Sequence, residues 1–321
     1  MHLQRALLTG VFAAIPVPAA AQTFPAKSLR LVIPYPSGTS TDLLGRLIVP
    51  RMSAHLGKPI VIENKGGASG SVGAQLAATA TPDGYTVMLG TSGIMAGNEV
   101  LMTNLSYSPA RDFSAVGGIA HNPQILAVGS VTGVKSVPEL VEFLKSNPAK
   151  SNFGSTGVGG TPALAAAAFL HGAGLKASHV PYNSVSQAMT SLIGGDITFM
   201  FYGSLGLVSL AKSGQLRALA TGGAQKSGLF PELKTMIELG YKDFAATSWF
   251  ALYVPAQTPG QTIQVLAESL NAALRDPEIA SKLVQSGFDL WTISPEALTA
   301  FGAKERIRYR ELVKRFGGIE N

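Results

Sequence analysis

The sequence lacks cysteine altogether and contains few charged residues. The absence of cysteine excludes disulfides, thiolate catalysis and cysteine-ligated metal sites, and it is compatible with export, since many exported bacterial proteins of this size have no cystines. Charged residues make up 14% of the chain, whereas they form roughly a quarter of an average protein. The surface should therefore be sparsely charged.

Sequence motifs of several catalytic and cofactor sites are also missing. The chain has no GxxxxGK[ST], no HExxH and no GxSxG motif, and its five histidines lack the spacing of metal ligands. These absences argue against nucleotide binding and against metal catalysis. A triad is recognised by geometry rather than by order, so a secreted serine hydrolase stays an alternative, with His121 and His179 as its two candidate bases.

Beyond the amino terminus, Gly, Pro or charged residues interrupt every hydrophobic run before it is long enough to span a bilayer. The first residues combine a basic start at Arg5, an apolar stretch over 6–20 and small residues at 19–21. This is the pattern of a cleaved secretory signal peptide. We expect residues 1–21 to be removed and the mature protein to be periplasmic.

The formal net charge of +6 suits nucleic acid, an anionic lipid surface or a small anionic ligand. Secretion argues against nucleic acid. The densest basic run, residues 304–310, lies in a predicted amphipathic helix, and a solvated helix face is its simplest interpretation. A surface interaction protein that uses this basic face remains a second alternative.

Short β-branched runs alternate with Gly/Ser-rich loops and helical patterns, which is typical of βα units. In the first unit we predict a strand over 29–35 and a helix over 42–56, with Thr41 as its N-cap. Pro50 predicts a kink or break near Arg46. The same kind of unit recurs in a second series from residue 125.

These patterns predict an α/β fold of two lobes, each a mostly parallel sheet flanked by helices. The helical end of the chain has too few strands of its own, so we expect it to return to the first lobe. The chain would cross near residues 122 and 243, giving one lobe from 22–122 plus 243–321 and another from 123–242.

Three Gly/Ser/Thr-rich loops, at 36–41, 90–93 and 154–161, follow predicted strands. Ligands of open α/β sheets bind beyond the carboxyl ends of such strands. Each loop leads into a helix amino terminus, where unpaired N–H groups and the helix dipole attract anions without lysine or arginine. A tight turn that needs glycine is the alternative for any single loop.

Six blocks, taken together and in order, resemble the substrate-binding receptors of tripartite tricarboxylate transporters, often called Bug receptors. The blocks are LRLVIPYPSGTSTDLLGRL at 29–47, GASGSVGAQLAATATPDGYTVMLGTSG at 67–93, SHVPY at 178–182, LIGGDITFMF at 192–201, GQLRALA at 214–220 and ATSWFALYVPAQTP at 246–259. The resemblance covers essentially the whole mature chain.

This resemblance implies a Venus-flytrap receptor of the periplasmic binding class, without catalytic activity or cofactor. It implies that facing loops of the two lobes hold a ligand carboxylate through backbone N–H groups and ordered waters. Carried over by position, and with Tyr202 added from the cleft wall, the candidate ligand-binding residues are Tyr35, Pro36, Ser37, Gly38, Thr39, Ser40, Thr91, Ser92, Ser155, Thr156, Gly157, Thr161 and Tyr202.

Two departures from the family pattern bear on the ligand. Phe201-Tyr202 stands where the family usually has Phe-Asp, and Pro162-Ala163 stands where a histidine commonly follows the second-lobe loop at 154–161. The loss of an acid and an imidazole favours an unsubstituted or aromatic dicarboxylate, such as a phthalate, over an amino acid or citrate. The implied partner is the membrane permease of the transporter, and we expect a monomer.

Overall fold

The computed structural model describes residues 24–156, 160–182, 184–242 and 244–316. The predicted signal peptide, the candidate residue Gly157 and the predicted boundary at 243 lie outside these ranges. No helix in the described ranges is long and apolar enough to cross a membrane.

The described chain forms short strands and one very long strand, β4. In chain order the strands are β1 (Leu29–Ile33), β2 (Ile60–Asn64), β3 (Thr86–Thr91), β4 (Phe113–Gly129), β5 (Asn152–Ser155), β6 (Ser178–Pro181), β7 (Phe199–Gly203), β8 (Leu216–Thr221), β9 (Thr247–Pro255) and β10 (Asp289–Leu290).

Helices alternate with these strands, as the βα pattern predicted. They are α1 (Ser40–Leu56), α2 (Ser71–Ala78), α3 (Asn98–Leu101), α4 (Val137–Ser146), α5 (Thr161–Ala173), α6 (Val185–Gly194), α7 (Leu205–Lys212), α8 (Gly260–Arg275), α9 (Pro277–Gln285) and α10 (Pro295–Phe316). A π-helical turn over Gly93–Gly97 leads directly into α3.

The strands form two sheets that share β4. In the first sheet the order is β2-β1-β3-β9-β4, with β10 also on β4, and in the second β4 pairs with β7 and β8, and β7 continues to β5 and β6. Residues 113–123 of β4 pair with β9, and residues 124–129 pair with β7 or β8. The chain thus passes from one sheet to the other between Pro123 and Gln124.

The two sheets are mixed rather than mostly parallel. The outer strands β2-β1-β3 and β6-β5-β7 are parallel, as predicted. Every pairing of β4, and that of β3 with β9, is antiparallel. The reason is topological: β4 leaves the first sheet and β9 returns to it, so these neighbours run in opposite directions.

Helix α1 begins earlier than predicted. Its N-cap is Thr39, whose Oγ1 accepts a hydrogen bond from the Asp42 backbone N–H at 3.3 Å, while the predicted cap, Thr41, is buried in the first turn. The helix also continues without a break through Pro50. Pro50 and Arg46 are both exposed, so the Arg46 carbonyl that loses its partner faces water.

Each sheet carries its own hydrophobic core. On the first, β1, α1, β9 and α8 bury a cluster that includes Leu31, Leu44, Leu252 and Leu270. On the second, residues of β4, α4, α5 and β7 form another cluster around Phe169 and Phe199. The carboxy-terminal helices α8 and α9 thus pack on the first sheet.

Helix α10 is tied to β9 by a buried carboxylate. Glu305 is 8% exposed, accepts a hydrogen bond from Trp249 Nε1 at 2.9 Å, and pairs with Arg308 through two bonds of 2.6 and 2.8 Å. The same helix contacts α5 of the second sheet. Glu305 therefore fixes a helix that touches both halves.

Replacing Glu305 should lower stability, because Glu305→Ala leaves the buried Trp249 N–H and the Arg308 guanidinium without their acceptor. We expect the free energy of unfolding to fall by about 2–4 kcal/mol, measured by urea unfolding. The control Glu311→Ala, at an exposed position on the same helix, should change it by less than about 0.5 kcal/mol. Equal effects of the two variants would contradict this role.

Candidate functional site

A cavity of about 130 Å³ lies where β4 passes between the sheets, and none of its lining residues is charged. It is lined by Tyr35, Thr39, Ser40, Thr41, Ser69, Thr91, Ser92, Gly93, Asn98, Asn122, Gln124, Thr156, Gly160, Thr161, Pro162, Val185, Tyr202, Gly203, Ser248 and Phe250. An anion bound here meets only neutral groups.

The cavity brings together most of the residues predicted from sequence: Tyr35, Thr39, Ser40, Thr91, Ser92, Thr156, Thr161 and Tyr202. Pro36, Ser37 and Gly38 are exposed and do not line it. Ser155 is buried at the end of β5, and its Oγ lies 2.8 Å from His179 Nε2, outside the cavity wall.

Three helices begin at the cavity wall. Thr39 and Ser40 start α1, Gly160 and Thr161 start α5, and Val185 is the first residue of α6. The first N–H groups of a helix have no partner within it, and they carry the positive end of its dipole. Helix starts from both sheets thus create a positive potential in a space without cationic side chains.

The loop before α1 is held in place by Asp42. Its carboxylate accepts from Gly38 N and Arg46 Nε, both at 2.9 Å, and from Asn64 Nδ2 at 3.0 Å. Burial alone would favour the protonated form, but these hydrogen bonds outweigh it and hold the pKa of Asp42 below its usual range. The Arg46 guanidinium is bonded to Asp42 and does not line the cavity.

Residues 67–70 form a second loop at the cavity, with four successive positive φ angles of 129°, 45°, 52° and 87°. Two of these residues, Ala68 and Ser69, are not glycine, so the backbone is strained there. Asn98 Nδ2 donates to the Ser69 carbonyl at 3.1 Å and fixes the loop. Strain of this kind, next to a cavity, is typical of a binding site.

Hydroxyl groups join the two halves across the cavity. Ser92 Oγ lies 2.9 Å from Thr161 Oγ1, which lies 3.2 Å from the Tyr309 hydroxyl of α10. Tyr202 also lines the cavity, and burial raises the pKa of Tyr202 and Tyr309, so both hydroxyls stay neutral. The structure is therefore in a closed arrangement.

Sequence reasoning missed the polar residues of the crossing strands, chiefly Asn122, Gln124 and Ser248, together with Asn98 and Phe250. The segment His121-Asn122-Pro123-Gln124 does not have the composition of a strand. Its available signal was the spacing of two amides, Asn122 and Gln124, which places both on one face if the segment is extended.

A family model described as "Tripartite tricarboxylate transporter family receptor" matches residues 44–317. The chain belongs to this family. It is therefore a solute-binding receptor of the periplasmic binding class.

Relatives across the whole chain agree with this assignment. Protein BugT of Bordetella pertussis is 29% identical and covers 99% of both chains. A receptor from R. palustris solved with adipate has a TM-score of 0.87 at 30% identity, covering 92% of this chain and 98% of its own. MatC from Rhodopseudomonas palustris with bound malate has a TM-score of 0.84 at 25% identity, covering 90% and 100%.

The contact between Ser155 and His179 resembles half of a hydrolase triad, but two observations make it an unsuitable nucleophile pair. Ser155 is fully buried, and His179 Nδ1 is buried without a hydrogen-bond partner, so no carboxylate orients the ring. His121, the other candidate base, packs edge-on against Trp291. Both imidazoles pack against aromatic side chains, His121 against Trp291 and His179 against Phe153.

Loss of the Ser92 hydroxyl should weaken ligand binding. Ser92→Ala removes both a polar group of the cavity wall and its bond to Thr161, and we expect a loss of about 1–3 kcal/mol in binding free energy with the fold intact. Titration calorimetry with the best carboxylate measures the affinity. Ser281→Ala, exposed on α9, is the matched control, and unchanged affinity in Ser92→Ala would place the site elsewhere.

The two partly buried histidines, His121 and His179, should make stability depend on pH. Burial lowers the pKa of both His121 and His179 from the ordinary 6.5. The unfolded chain then binds more protons than the folded one, so the free energy of unfolding falls as the pH drops below about 6.5. Urea unfolding between pH 7.5 and 5 measures this slope.

His179→Gln should reduce that slope, whereas His55→Gln, at an exposed position on α1, should leave it unchanged. A slope that is the same in His179→Gln as in the parent protein would contradict the assignment.

Proposed function

We propose that this receptor binds a small dicarboxylate in the periplasm and delivers it to the permease of a tripartite tricarboxylate-type transporter. The observation that carries the proposal is the charge-free cavity lined by helix starts and hydroxyl groups. Such a site suits a carboxylate, because hydrogen bonds to a charged acceptor are roughly twice as strong as neutral ones.

Removal of water strengthens these bonds. Where water is excluded, the effective dielectric constant is low. Each hydrogen bond from an N–H or O–H group to a carboxylate is then stronger than the same bond in bulk water. Helix starts on both sides give each end of a dicarboxylate its own donors, α1 on one side and α5 and α6 on the other. A lysine or arginine is not required for binding of this kind.

Two observations support a dicarboxylate as the ligand: the ligands of related structures and the aromatic residues of the cavity wall. Two relatives were solved with adipate and with malate, which are both dicarboxylates. Tyr35, Tyr202 and Phe250 add aromatic surface to the cavity. Both aliphatic and aromatic dicarboxylates, including phthalates, therefore belong in the panel to be tested.

We propose that the lobes are residues 22–122 plus 243–321 and residues 123–242, and that they open and close as rigid halves. The change of β4 partners between Pro123 and Gln124 supports the first boundary. Opening would break the contact between Ser92 and Thr161. The closed monomer, with ligand inside, is the form that the permease would recognise.

A thermal-shift screen tests this function. Ligands that bind the folded state raise the melting temperature, so we expect shifts with one or more of succinate, malate, adipate, terephthalate and citrate, and none with matched neutral diols. Calorimetry then ranks the acids that shift it. A shift with diols alone, or turnover of model esters by the purified protein, would contradict a carboxylate receptor.

A further inference from the structure

Two buried amide side chains of β4, Asn122 and Gln124, lie in the cavity wall at the point where the strand changes sheets. They are 2% and 3% exposed. Being two residues apart on a strand, they share one face. Neither Asn122 Oδ1 nor Gln124 Oε1 has a hydrogen-bond partner. Both oxygens can only accept, so each requires a donor.

The orientation of the Gln124 amide is fixed by its surroundings. Its Nε2 donates to the Asn122 backbone carbonyl at 3.1 Å and lies 3.2 Å from Ser248 Oγ. A backbone carbonyl cannot donate, so the amide cannot be turned over without placing two acceptors together. The oxygen, not the nitrogen, is therefore the unpaired atom.

The wall beside Asn122 is shaped for an amide. A Cβ on Gly203 of β7 would lie 2.9 Å from Asn122 Nδ2 and 3.2 Å from its Oδ1. Glycine at 203 thus lets the Asn122 side chain pack against the backbone of the second sheet. Asn122 and Gln124 thus form a polar surface at the β4 crossing, in which the Gln124 amide is held in one orientation.

An unsubstituted dicarboxylate cannot donate to the Gln124 oxygen, because an ionised carboxylate has only acceptors. An ammonium group would donate, but the cavity wall has no carboxylate to compensate its charge, and burying an unpaired charge is costly. A hydroxyl group donates without charge. An acid without this hydroxyl would leave the buried acceptor without a donor, and it should therefore bind more weakly than the hydroxylated acid.

We infer that Gln124 and Asn122 recognise a hydroxyl group, and that the preferred ligand is a hydroxylated carboxylate rather than its unsubstituted counterpart. This inference rests on the proposed function and narrows it. It replaces the preference for an unsubstituted acid, which followed from the absence of an acidic side chain and an imidazole. The amide oxygens of the crossing strand supply the acceptors that those groups would have supplied.

Calorimetric titration with matched acids tests the inference. Succinate, malate and tartrate differ only in hydroxyl number, and we expect malate or tartrate to bind at least about tenfold more tightly than succinate. In Gln124→Met the oxygen is lost at similar side-chain size, so the preference should fall to about twofold or less. Gln285→Met, at an exposed position on α9, is the control and should retain it.

The outcomes separate this inference from the proposed function. If succinate binds as tightly as malate and tartrate in the parent protein, ordered water satisfies the amides and the inference is wrong, while a carboxylate receptor remains. If no acid of the wider panel binds, both fail. Because the comparison of acids in the parent protein is decisive by itself, poor folding of Gln124→Met would not leave the question open.

Discussion

The proposed function places one constraint on the structure: a carboxylate must be bound in a cavity whose lining residues carry no charge. Helix starts from both sheets meet this constraint, because their first N–H groups have no partner within the helix. The sparse charge of the chain fits this arrangement. The cation nearest in sequence to the first loop, Arg46, is bound to Asp42, where it orders the loop and stays out of the cavity wall.

The same construction explains why the cavity lies where the chain crosses between the sheets. Strand β4 spans both sheets and carries Asn122 and Gln124 at the crossing, and β9 returns beside it with Ser248. A site at this position is closed or opened by any rotation of one half against the other. The proposed coupling of binding to domain closure would therefore run through β4, which belongs to both sheets.

Much of this organisation was predictable, because it follows from local patterns. The βα units follow from the hydrophobic period, and the Gly/Ser/Thr-rich loops at 36–41 and 90–93 follow from composition. The capping position of α1 was predicted wrongly, because Thr39 and not Thr41 accepts the first N–H bond, and the helix does not break at Pro50. The long strand β4 was missed because its pairing partners are distant in the sequence, and Gly, Asn and Pro weaken its local signal. For the same reason Asn122 and Gln124, which we infer to select the ligand, were not predicted as site residues.

The central claim is that neutral donors alone bind the anion, and a crystal structure with the best-binding acid tests it most directly. The account predicts carboxylate oxygens within about 3 Å of N–H and O–H groups at the starts of α1 and α5. A carboxylate paired with an arginine or lysine side chain, or an acid bound away from the β4 crossing, would contradict it.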